Sequence, residues 1–344
     1  MTKPRLLISN DDGITAPGLR ALTAALHQDD FCTFAVSAPA GERSAQSHCI
    51  SIGKSLHAWS LDVEGAEEAY AVDGTPADSV MIALYGPLLV SPSFQLVVSG
   101  INRGDNCGLH VIYSGTVGAA REAACKDVPS IAVSLDNYLA RTEDQYAAAA
   151  TYTVALCKAV LGILPPPGGG RHAFGASHLS GHVVNVNVPK GALSDIRGLY
   201  LAHQGQHCHF PDFQELEADA EVQAGHVGAV TLRVFRNAAG SLRGDLSEGC
   251  DSWAVGQGWV SVTPICLRSD MPLTAAAAAQ REQQQVLLTL AAAMQAAARS
   301  LGAKVAGLPR HLEAAVTADP ASIPAGEGPG GDLAGDGAAS TAHQ

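Results

Sequence analysis

Four stretches of this 344-residue chain gather the polar groups that chemistry needs. The first is Asn10-Asp11-Asp12-Gly13, directly behind the apolar run Leu6-Leu7-Ile8. Adjacent carboxylates are costly to hold together, because like charges repel and burial penalises both. A divalent cation shared by the pair removes that cost. The same residue types also make an Asx-rich turn that caps the next helix, so the tetrad alone leaves two readings open.

The second stretch, Pro39-Ala40-Gly41-Glu42-Arg43-Ser44-Ala45-Gln46-Ser47, offers hydroxyls and one arginine, suited to a metal shell or to phosphate oxygens, and equally to a polar surface turn. The third, Ser99-Gly100-Ile101-Asn102-Arg103-Gly104-Asp105-Asn106-Cys107-Gly108, places the neutral oxygen of Asn102 at the end of an apolar run. Its glycines let backbone approach a ligand closely. Shortly after it, Tyr113-Ser114-Gly115-Thr116 opens a helical pattern, where free N–H groups and the positive dipole end bind phosphate, or where Ser114 is simply a cap. The fourth, Asp73-Gly74-Thr75-Pro76-Ala77-Asp78, reads mainly as a helix start with Thr75 as cap and Asp78 paired to it.

These stretches need elements that point them at one another. Strand-like runs at 5–9, 33–38, 95–99 and 130–135 alternate with helical patterns at 17–27, 77–85 and 116–125, the signature of βαβ units on a parallel sheet. A further helix is expected over 143–160, and the run Pro165-Pro166-Pro167-Gly168-Gly169-Gly170 interrupts any regular element. Beyond it, 183–188, 227–235 and 259–263 read as strands, and 273–301 is an Ala-, Gln- and Leu-rich helix whose modest apolar stripe needs a surface to pack on. The expected layout is a Rossmann-like α/β catalytic core over 1–164, a Pro/Gly linker over 165–181, and a strand-rich part over 182–270 that completes the domain. A C-terminal helix over 271–310, a candidate oligomerisation arm, and a disordered tail over 311–344, too poor in apolar residues to offset its ordering entropy, finish the chain.

Composition narrows the function. With 47% hydrophobic and 16% charged residues the chain folds as a globule, and a net charge of -12 disfavours nucleic acid and anionic membranes. Eight scattered cysteines without a CxxC pair predict reduced thiols and a cytoplasmic protein. A first strand this close to Met1 predicts no signal peptide, and no uncharged apolar stretch is long enough to span a bilayer. Gly53-Lys54-Ser55 lacks the earlier glycine of a P-loop, and no GxGxxG, GxSxG or HExxH pattern occurs. His203, His207 and His209 share one loop, but no carboxylate stands at matching spacing, so no metal site is expected there.

In a parallel sheet the ends of separate strands meet on one edge, which gathers Asp11, Asp12, Ser44, Asn102 and Ser114 around one pocket. The blocks LLISNDDGITAPGL, ERSAQSHCISI, YAVDGTPADSV, VVSGINRGDNCGLHVIYSGTVGAAREA and VNVNVP resemble the SurE (survival protein E) nucleotidases, with a weaker sixth block, EGCDSWAVGQGWVSVTP. That resemblance implies a cytoplasmic, divalent-metal-dependent phosphohydrolase of the 5'-nucleotidase kind acting on nucleoside monophosphates, built as a homodimer or homotetramer that exchanges C-terminal elements. It implies Asp11, Asp12, Ser44 and Asn102 as ligands of one Mg2+ or Mn2+, Asn10, Ser114, Gly115 and Thr116 as the phosphate seat, and Asn10, Asp11 and Asp12 as the catalytic group. Ser44-Ala45, where bacterial members carry Ser-Gly, looks closer to plant-type members.

The residues leave rivals standing: a broad-specificity acid phosphatase or polyphosphatase, or a non-catalytic nucleotide sensor that needs the phosphate cradle without the metal. An aspartyl-phosphate at Asp11 is the competing chemical route. It is disfavoured because the dehalogenase-type pattern spaces its carboxylates as DxD, whereas Asp11 and Asp12 are adjacent.

Overall fold

A computed structural model describes residues 2–164, 176–217, 232–238, 240–268, 277–310 and 312–313. Most of the expected linker and tail, the first half of the 227–235 strand and the start of the last helix lie outside the described residues.

The apolar runs become strands buried on both faces. In β1 (Arg5–Ser9), Leu6 and Ile8 point to one layer of helices and Leu7 to the other, so the run has no polar alternation. β2 (Thr33–Pro39), β5 (Leu96–Arg103), β6 (Ser130–Asp136) and β7 (His182–Pro189) are likewise buried over most or all of their length, although β7 alternates Val with Asn from Val184 to Val188, and β4 (Glu68–Val72) is half-buried at Glu68 and Tyr70. With β3 (Ala58–Ser60), β8 (Gly198–Leu201), β13 (Val260–Cys266) and β14 (Lys304–Ala306) they form one ten-stranded sheet, ordered β14-β8-β13-β7-β6-β5-β1-β2-β4-β3.

The six strands from β7 across to β4 are parallel neighbours. At one edge β3 runs antiparallel to β4, and at the other β13 runs antiparallel to β7 while β8 and β14 lie parallel to it in turn. The C-terminal strands thus extend the same sheet. The two small ribbons, β10 (Asp212–Leu216) with β11 (Val234–Ala238) and β9 (Cys208–His209) with β12 (Leu242–Arg243), stand apart from it.

Two helical layers cover the sheet. α1 (Pro17–Asp29), α5 (Ala147–Val160) and α7 (Ala277–Leu301) lie on the face of Leu6 and Ile8. On the face of Leu7 lie α2 (Pro76–Tyr85) and α4 (Gly115–Ala124), through Val80, Ala119 and Ala123. Short helices α3 (His110–Tyr113) and α6 (Asp251–Gly256) border the loops at the site. The expected helix over 143–160 starts with a 3-10 turn, Glu143–Tyr146, before α5. The apolar stripe of α7, including Val286, Leu290 and Met294, is buried against α5 and the core of its own chain. A second copy is not needed to cover it.

From β1 the chain steps outward to β2 and β4, then crosses back to place β5 on the other side of β1. Strand order reverses between β1 and β5, and the crevice outside their carboxyl ends is where open α/β sheets bind ligands.

Candidate functional site

The loop leaving β1 is fixed from within. Asn10, fully buried, donates from Nδ2 to Gly13 O at 2.9 Å and accepts from Gly13 N at Oδ1, 3.2 Å. This closed turn gives the Asn10 amide to the backbone, so it sets the direction of Asp11 and Asp12. The turn reading of the tetrad is therefore carried by Asn10 and Gly13, which leaves the carboxylates of Asp11 and Asp12 outside the turn's hydrogen bonds.

Asp11 lies 4% exposed, with Oδ1 accepting from Thr116 Oγ1 at 2.5 Å. Burial first, then the charge of Asp12, push its carboxyl up to about 7, although Thr116 partly opposes them. Asp12 accepts from the Arg103 amide at Oδ2, 2.8 Å, and burial raises its carboxyl too. Gly115 at the start of α4 makes this approach possible: a Cβ there would stand 2.9 Å from Asp11 Cβ and 3.0 Å from Asp11 Oδ2. Ser114 caps α4, its Oγ accepting from Val117 N at 3.0 Å. The cap satisfies the Val117 amide, while the Gly115 and Thr116 amides ahead of it have no partner within the helix.

The remaining expected ligands arrive from two loops. The Arg43 amide donates to Asp11 O at 2.7 Å, and Ser47 N donates to Tyr113 O at 2.8 Å, so the 39–47 loop is pinned between β1 and α3. Ser44 is exposed, and its hydroxyl donates to Glu42 at 2.9 Å; Glu42 in turn accepts from Arg103. Ala45 and Ser47 adopt left-handed backbone, φ +57° and +54°. Asn102 sits where β5 shifts register against β6, and its Nδ2 donates to Gly104 O at 2.9 Å. Among the described residues, Asn102 Oδ1 and Asp12 Oδ1 accept no hydrogen bond.

The donor set fits a hard divalent cation. Two carboxylates raised by desolvation, Asp11 further by the charge of Asp12 and Asp12 by that of Glu42, are relieved by a double positive charge, and all-oxygen ligation suits Mg2+ or Mn2+. Next to Asp12 a cleft of about 230 Å3 is lined by Thr15, Glu42, Arg103, Arg141 and Tyr146.

Several supporting residues have no sequence signal of their own. Asn106 is clamped by three side chains: its amide donates to Asn187 Oδ1 at 2.7 Å, its Nδ2 to Ser134 Oγ at 2.7 Å, and its carbonyl accepts from Asn185 at 2.9 Å. The alternating asparagines of VNVNVP thus hold the loop after β5. Asp251, fully buried, accepts from the amides of Gly108 and Gly205 at 2.9 and 3.0 Å. Asp105, His110 and His207 meet with ligating atoms within 4.8 Å of one another. The carboxylate missing from the 203–209 loop comes from the loop after β5, while His203 packs against Gly249.

The chain matches the family described as Survival protein SurE over residues 6–210. It is 33% identical over 261 residues to a Clostridium beijerinckii protein named 5'-nucleotidase SurE, covering 76% of this chain and 92% of that one. A Pseudomonas savastanoi pv. phaseolicola protein of the same name is 37% identical over 263 residues, with 76% and 92% covered. The crystal structure of the SurE protein from Aquifex aeolicus matches with TM-score 0.58 and 30% identity, covering 78% of this chain and 95% of that one. Among the described residues no helix is long and apolar enough to cross a membrane.

Proposed function

The chain belongs to the SurE family, and from that premise we propose that it is a divalent-metal-dependent 5'-nucleotidase, releasing phosphate from nucleoside monophosphates. Its class, phosphoric monoester hydrolase, follows from relatives of that name along three quarters of the chain. The observation that carries the metal-dependent reading is the Asp11–Asp12 pair at the switch point, facing the N-terminus of α4.

Asp11, Asp12, Ser44 and Asn102 would hold one Mg2+ or Mn2+. Such an ion, when bound, supplies Lewis-acid polarisation of the phosphoryl group and eases deprotonation of a water. The protein's own groups do the positioning. Thr116 Oγ1 orients Asp11, the Arg103 amide orients Asp12, and the Asn10–Gly13 turn fixes both. The leading amides of α4 and its dipole offer the phosphate a seat, with Ser114 and Gly115 shaping it. Arg103 and Arg141 line the cleft beside Asp12, where the nucleoside side of the substrate fits.

Phosphate release from a panel of nucleoside monophosphates, with and without chelator and with Mg2+ or Mn2+ restored, tests this. Release that survives complete metal removal would refute the metal-dependent reading. Asp12→Asn keeps an acceptor for the Arg103 amide, so the fold should persist while turnover collapses; retained turnover would remove Asp12 from its role. A homodimer or homotetramer is part of the same reading. Phe213 and Phe235, 62% and 50% exposed on the β10–β11 ribbon, support it, since an isolated two-stranded ribbon is marginal alone. Light scattering reads the mass directly.

A further inference from the structure

Outside the Asp11–Asp12 crevice, three histidines and an aspartate converge at the loops that follow β5 and β8. His110 Nδ1 stands 2.9 Å from Asp105 Oδ1, and His207 Nε2 stands 3.9 Å from the same oxygen. His209 Nδ1 lies 2.9 Å from His110 Nε2, with the two rings stacked. The side chains of Asp105, His110 and His207 are 7%, 12% and 14% exposed.

We propose that Asp105, His110 and His207 form a second metal site, distinct in chemistry from the first, for a borderline transition ion of the zinc class. Two imidazoles and one carboxylate select Zn2+ and its neighbours over Mg2+ or Ca2+, which prefer oxygen ligands. Tetrahedral bonds of about 2.0–2.2 Å separate ligand atoms by about 3.3–3.5 Å, so the observed spacings close with side-chain shifts of roughly an ångström. Three protein ligands leave a fourth position to water.

The surroundings are already built. Asp105 Oδ1 accepts from the Cys107 amide and Oδ2 from the Tyr138 hydroxyl, both at 2.9 Å. The Leu109 amide donates to His207 O at 2.8 Å, and Asp251 fixes Gly108 and Gly205 on either side. With His110 ligating through Nδ1, its Nε2–H is free to donate to His209, an outer partner of the kind that orients metal-bound imidazoles. The ion would pin the loop after β8 onto the segment that leads into α3 and α4.

The test uses the full chain carrying Asp12→Asn, stripped by chelator, and titrates Zn2+ against a chromophoric competitor. One tight equivalent is expected, lost in His110→Gln and in His207→Gln, and weakened about 10- to 100-fold in His209→Ala. No tight equivalent in the parent, or an equivalent unchanged in both ligand variants, overturns the site. Should those variants fold poorly, cobalt loading of the parent decides: intense visible absorption of a four-coordinate ion is expected, and only the weak bands of a six-coordinate ion overturn it.

Discussion

Replacing Thr116 by valine isolates one hydrogen bond at the centre of the site. Thr116 Oγ1 donates to Asp11 Oδ1 at 2.5 Å, with Thr116 fully buried and Asp11 4% exposed. A hydrogen bond to a charged group contributes about 1.5–3 kcal/mol, and each 1.36 kcal/mol is about one pKa unit or a factor of ten. Valine keeps the shape and nearly the helix propensity of threonine, so the loss falls on the Asp11 carboxylate. Mn2+ affinity at pH 7 should therefore drop about 10- to 100-fold, while Thr116→Ser, which keeps the hydroxyl, stays near wild type. Calorimetric Mn2+ titration alongside phosphate release at several Mn2+ concentrations measures both. Saturating Mn2+ should restore much of the lost rate. Unchanged Mn2+ affinity with a raised KM for substrate would refute the reasoning and return the hydroxyl to the phosphate seat expected from the sequence.

Gly115→Ala brings a methyl to 2.9 Å from Asp11 Cβ, so turnover should fall at least tenfold while urea midpoints hold, because alanine suits a helix better by about 1 kcal/mol; a normal kcat would show that the crevice has slack. Ala45→Gly relaxes a left-handed residue and should raise unfolding free energy by about 0.5–1 kcal/mol, read by urea denaturation; a clear loss would contradict the strained backbone. Asp251→Asn replaces one of the two accepting oxygens by an N–H, which then faces the Gly108 or the Gly205 amide, and should cost about 1–3 kcal/mol, with faster amide exchange at that glycine. Unchanged exchange at both would show that Asp251 does not hold those loops.

What the sequence discloses is local. Leu6-Leu7-Ile8 ahead of Asn10-Asp11-Asp12-Gly13 contains both the buried strand and the chemistry at its end, and Thr75 with Asp78 spells out a capping box that the structure closes at 2.9 and 3.0 Å. The turn propensity of Asn10 is equally visible, yet only the fold divides the tetrad into a turn-forming residue and two acids. Asp251 escapes because its partners, Gly108 and Gly205, are backbone amides that leave no mark on residue type. The Asp105 cluster escapes for another reason: its carboxylate and His207 are separated by about a hundred residues, and spacing rules see only ligands that share a segment. β8 and β14 are too short to show a period, and gain their place from pairing alone.

The pairing of β8 with β14 also sets a clock on synthesis. Gly198–Leu201 leaves the ribosome about a hundred residues before Lys304–Ala306, and at roughly 5–20 residues per second the interval is about 5–20 s. Throughout it β8 offers an unpaired edge, open to a second nascent chain as readily as to its own later strand. The sheet therefore closes last where the chain is made last, and the danger of cross-pairing in the cell is concentrated in that window.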